Sequence, residues 1–134
     1  MALGLSSILR RFRKEESGGM TVEVVLWMPV FAALLCIVAD ASMIFGRKAE
    51  VLRIVQDANR AVSVGRFMDL NDAEAFITAR INYISPNATV TTTVTEGVVR
   101  TIVTMPASDL TSDAPVGVLD SLTVSVSAEH LLEA

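Results

Sequence analysis

Few residues of this chain could do chemistry, and the most specific meet at one junction, Glu16-Ser17-Gly18-Gly19-Met20-Thr21-Val22-Glu23. There a charged leader runs through two glycines into an apolar segment that carries one acid. A carboxylate at the start of a membrane helix disfavours insertion unless it is paired, so Glu23 calls for a cation. If the chain is cut after Gly18, the new terminus is the amine of Gly19 and Glu23 becomes the fifth residue of the mature chain. Across one helical turn, or in a neighbouring subunit, that amine would be placed to pair with Glu23. By themselves, Gly18 and Gly19 also read as a flexible joint, and Glu23 as an interfacial residue reaching headgroup water.

The other reactive side chains lack partners at useful spacing. His130 is the only histidine and reads as a surface side chain that cannot make a triad. Serines and threonines sit at alternate strand positions, and no Gly-x-Ser-x-Gly elbow is present. Asp109, Asp113 and Asp120 share a loop but not the EF-hand spacing, so no metal is expected. Cys36, the single cysteine, lies in the apolar run and reads as a lipid-facing or packed small hydrophobe, without a disulfide or thiolate metal site. Asn87-Ala88-Thr89 is a formal glycosylation sequon that carries little weight. Together these residues predict no enzyme, no cofactor and no small-molecule substrate.

The chain has 134 residues, one domain's worth, which excludes a two-domain enzyme around a large cleft. Its mean hydropathy is +0.51, with 51% hydrophobic residues but only 5% aromatic ones, so the excess is aliphatic. It is also localised: Val24 to Ala39 contains neither charge nor hydroxyl, and the apolar character resumes past Asp40 and Ser42 to Phe45. Val24 to Phe45 makes about 33 Å of helix, enough to cross a hydrocarbon core of about 30 Å. The run is too long for a typical signal peptide and no small-x-small site follows it, so the segment is expected to stay attached. Trp27 reads as an interfacial anchor, and Asp40 lies near the outer end, where a carboxylate can reach water.

Charge orients this span. Before Gly19 there are four basic residues, Arg10, Arg11, Arg13 and Lys14, against two acids; afterwards there are seven against thirteen, so a +2 leader precedes a −6 remainder. The leader predicts a cytoplasmic N-terminus, a bias that Arg47 and Lys48 weaken and Glu50 partly restores. An acidic remainder without a basic run excludes nucleic acid as a partner.

Past the membrane, Val51, Ile54, Val55, Ala58, Ala61, Val62 and Gly65 fall on one helical face, and Glu50, Arg53, Asp57 and Arg60 on the other. One continuous helix from about Met20 to Phe67 is expected, about 70 Å long and kinked or softened at Pro29. Asn71 caps a second helix, with Glu74 in capping-box position and Ala73, Ile77, Ile81 and Ile84 on one face, stopped by Ser85-Pro86-Asn87. The period then changes to two. Ala88, Val90 and Val94 alternate with Thr89, Thr91, Thr93 and Thr95; Glu96-Gly97 turns; Val98 to Met105 returns; and Leu122 to Ala128 alternates again. A three-stranded antiparallel sheet follows, with Pro106 to Asp120 a long loop and candidate interaction surface.

Gly18, Glu23 and Pro29 resemble a class III prepilin leader, specifically that of the TadE-like proteins of tight-adherence (Flp-type) pilus systems. In that family a basic leader ends in glycine, the fifth residue after it is glutamate, and a proline follows six positions beyond. Phe45-Gly46-Arg47 resembles the family's exit from the membrane, and the likeness covers residues 10 to about 67. Val24 departs from it, since an aromatic usually follows the glutamate. The resemblance implies a non-enzymatic minor pilin or pseudopilin at the bacterial inner membrane, processed by a prepilin peptidase between Gly18 and Gly19. Its partners would be other pilins and the inner-membrane assembly platform. The expected organisation is a leader over 1–18, a transmembrane helix and stem over 19–67, and a periplasmic domain over 68–134, an α+β, pilin-like fold. An unprocessed membrane-anchored periplasmic scaffold of a secretion or envelope complex is the alternative.

Overall fold

The computed structural model describes residues 16–111, 119 and 121–133. The leader residues Arg10, Arg11, Arg13 and Lys14, together with Asp113 and Asp120, lie outside them. The order is α1 (Glu16–Ser63), α2 (Leu70–Ile81), β1 (Thr89–Thr95), β2 (Val98–Pro106), a 3-10 turn (Ala107–Asp109) and β3 (Thr123–Leu131), an α+β arrangement. The described residues divide into two units, the first ending at Cys36 and the second beginning at Ile37.

Helix α1 starts and ends about four residues earlier than its pattern predicts. It contains Pro29 without interruption and runs back through Gly19 and Gly18. Its end is set by backbone chemistry. Gly65 takes φ +73°, and the amides of Gly65 and Arg66 donate to the carbonyls of Val62 (3.0 Å) and Ala61 (2.9 Å), closing the helix ahead of Phe67.

In the first unit the side chains from Gly19 to Cys36 are exposed, apart from partly covered Ala33 and Cys36. The helix is long and apolar enough to cross a membrane, with a mean hydropathy of 2.4 over its most apolar window.

The second unit has one principal core, formed by Val51, Val55 and Ala58 of α1, Ile77 and Ile81 of α2, Ile84, and Val103, Met105, Leu110 and Val126. Val62, Ala73 and Val99 form a smaller cluster beside Phe67 and Leu70. Ile54 and Ala61, expected on the buried face, are only half covered, and Gly65 is exposed. The stripe also begins earlier than its apolar residues indicate. Asp40 and Ile44 lie on the same side as Val51 and Val55, and Asp40 is only 7% exposed, which corrects the expectation that it reaches water.

The cap of α2 is Asp69, not Asn71: Asp69 has extended backbone and its carboxylate accepts from the Asn71 amide at 3.2 Å. That hydrogen-bonding, led by the Asn71 side chain at 3.0 Å, lowers the Asp69 pKa from its ordinary value. The helix stops at Ile81, before Ser85-Pro86-Asn87, where the amides of Ile84 and Ser85 both turn back to the Ile81 carbonyl.

The sheet has the order β1-β2-β3, antiparallel throughout, with Thr92 opposite Thr101 and Thr101 opposite Ala128. β3 starts one residue later and extends three residues further than the alternation predicts. One face packs on the core through Val99, Thr101, Val103, Met105 and Val126, while the other carries exposed Thr91, Thr93, Arg100, Ser125, Ser127 and Glu129. Arg100 and Glu129 pair across that open face at 3.4 Å. The stretch after Pro106 is no free loop at its start, because the 3-10 turn delivers Leu110 into the core.

Candidate assembly site

Glu23 is exposed on α1, one turn beyond Gly19, on a strip formed with Met20, Val24, Trp27, Met28 and Phe31. The spacing of three and four residues places all of them on one side of the helix. Trp27 and Phe31 lean together with ring centroids 6.3 Å apart and 49° between planes, so the strip is a shallow apolar concavity of about 500 Å³ edged by one carboxylate. No other described part of the unit covers it. An exposed apolar helix face with an acid at its margin is suited to lipid or to another helix.

Each residue marked by the sequence has a definite setting. Gly18 and Gly19 are inside the helix, and a Cβ at Gly19 would meet nothing within 4 Å. Two consecutive helical glycines weaken that turn by about 1 kcal/mol each relative to alanine. Pro29 follows Glu23 on the same helix, Val24 is 61% exposed, and Phe45 is exposed beyond them in the second unit.

The remaining candidates are engaged structurally or placed apart. His130 is half-buried opposite Val99. Asp109 accepts from the Ser85 hydroxyl at 2.6 Å and from the backbone and side-chain nitrogens of Asn87 at 3.2 Å, which also occupies the sequon's amide nitrogen. Burial raises the Asp109 pKa, but the hydrogen bonds from Ser85 and Asn87 outweigh it and hold the carboxyl below its ordinary value. Tyr83 donates to Glu50, and the hydrogen bond to that carboxylate raises the phenol's pKa.

Two groupings have no sequence motif. The first is a polar chain through the core: the Asn59 amide donates to the Ala128 carbonyl at 2.9 Å, and the Thr101 hydroxyl donates to the Asn59 side-chain oxygen at 2.6 Å. Thr101 and Thr92 share a hydroxyl bond at 3.0 Å, and the Thr92 amide donates to Glu74. Glu74, expected to complete a helix cap, instead joins α2 to β1. The second is a groove where α1 ends and α2 passes, carrying Arg60, Arg66 and Arg80 around Phe67 and Phe76. Its one sequence signal is the spacing of Phe76 and Arg80, one helical turn apart.

No protein-family model, curated protein or solved structure matches this chain.

Proposed function

We propose that this chain is a membrane-anchored, non-enzymatic assembly subunit of the pilin class. More particularly, it is a TadE-like minor pilin or pseudopilin of a tight-adherence, Flp-type pilus, cleaved after Gly18 by a prepilin peptidase and acting in pilus assembly, adhesion and biofilm formation. The observation that carries this reading is Glu23, standing one helical turn past Gly19 at the edge of an uncovered apolar strip. Cleavage supplies the cation that Glu23 lacks among the described residues: the Gly19 amine, its own or a neighbour's, neutralises the carboxylate as the strip moves from lipid to protein. Arg10, Arg11, Arg13 and Lys14 keep the N-terminus in the cytoplasm, and the sheet-bearing part is periplasmic.

One observation favours an unprocessed envelope scaffold instead: α1 continues unbroken through Gly18 and Gly19, and a helical peptide bond is a poor protease substrate until it unwinds. N-terminal sequencing and intact mass from cells with and without prepilin peptidase separate the two readings. A peptidase-dependent terminus at Gly19 is the expected result, and residues 1–18 retained in both strains overturn it. Glu23→Ala should insert normally yet fail in assembly; normal piliation of that variant would count heavily against the pairing.

A further inference from the structure

The second unit carries a cationic, aromatic-floored groove of about 710 Å³ that the assembly reading does not use. Arg60 comes from the last turn of α1, Arg66 from the residue that closes its C-terminus, and Arg80 from the last turn of α2. All three are exposed, and among the described residues none forms an ion pair, the one such pair being Arg100 with Glu129. Among the described residues Asp57 is the single acid on the lining. The floor is built: Phe67 and Phe76 are half-buried with centroids 5.5 Å apart, and the Arg80 guanidinium lies 5.0 Å from the centre of the Phe76 ring. A guanidinium held over an aromatic face keeps its planar fork of N–H donors, the geometry that receives a carboxylate through two hydrogen bonds.

We infer that this groove docks an acidic segment of a partner protein, with carboxylates on the three arginines and an apolar side chain against the two phenylalanines. Charge complementarity selects this occupant: three unpaired cations against one acid stand on a chain whose residues after the leader sum to −6. Lipid phosphate fits less well, because Arg60 is about 22 Å of helix beyond Phe45, the end of the apolar run. The inference does not depend on the pilin reading.

The test uses the full chain in a nonionic detergent and fluorescence anisotropy of a labelled peptide with four glutamates around one leucine. Saturable binding is expected, with the glutamine version of the peptide at least about tenfold weaker. Arg80→Glu should weaken binding about tenfold, and Arg60→Gln or Arg66→Gln about fivefold each, with Arg100→Gln unchanged. Unaltered thermal melts show that the variants remain folded. Equal binding of both peptides, or indifference to the arginine changes, overturns the proposal. Inorganic phosphate competing as effectively as the peptide makes the groove a simple anion site and also overturns it. Self-association of the chain that Arg80→Glu abolishes makes a second copy the occupant, with the same consequence.

Discussion

Replacing Asn59 with alanine tests whether the polar chain through the core holds α1 to the sheet. Asn59 is 1% exposed, and its side chain makes two hydrogen bonds, to the Ala128 carbonyl and from the Thr101 hydroxyl. Each such bond contributes about 1 kcal/mol net, and the void left by the amide adds about another 1 kcal/mol. Alanine recovers about half a kcal/mol through its better helix propensity. The expected loss is therefore about 2–3 kcal/mol, or roughly 10–20 °C in melting temperature for a folded unit of this size. The assay is thermal unfolding by circular dichroism of the full chain in detergent, where the apolar part of α1 contributes a steady background. Thr101→Val should cost less, about 1–2 kcal/mol, because Val preserves the shape, and the two changes together should be less than additive. A melt for Asn59→Ala within about 0.5 kcal/mol of the parent, or strict additivity with Thr101→Val, refutes the reasoning.

Gly65→Ala meets open space but requires an alanine at φ +73°, so it should cost about 1 kcal/mol, visible as a lower melting temperature, whereas Gly46→Ala should not destabilise the chain. Asp109 has a lowered pKa in the folded chain, so its contribution is fully present above the unfolded carboxyl value near 3.8 and is lost as pH falls through the lower folded value. Asp109→Asn should remove that acid-side loss, giving a shallower stability profile below about pH 4 in chemical denaturation.

The first and third strands were legible because apolar residues keep a period of two, Ala88, Val90 and Val94 in one and Leu122, Val124, Val126 and Ala128 in the other, and a pleated sheet with one covered face needs that period. That phase puts Thr92 on the side of Val90 and Val94 but does not reveal what receives its hydroxyl there: Thr101, itself bound to Asn59, lies distant in sequence. Cap residues misled for a related reason. Asp69 and Asn71 both suit the position, and the apparent box between Asn71 and Glu74 loses to Asp69 because Glu74 is committed to Thr92. Asp40 looked wet from its place near the end of the apolar run, yet its helical phase with Val51 and Val55 puts it among covered positions. At the candidate assembly site the spacing of Gly19, Glu23 and Trp27 was readable directly, since one helix carries all three. The arginine groove was not, because two helices and the turn between them supply its walls.

The contact between Glu74 and Thr92 also bears on crowding. β1 is a margin of the sheet, and a bare margin is a template on which another chain can lay a strand. Here the amide at the middle of that margin is already bound by a carboxylate from α2. An incoming strand would have to break that bond, and would bring its own carbonyl against the displaced acid. Ribbon-like stacking, which needs both margins open, is therefore obstructed on one side, so copies packed at high local density are steered away from amyloid-type growth.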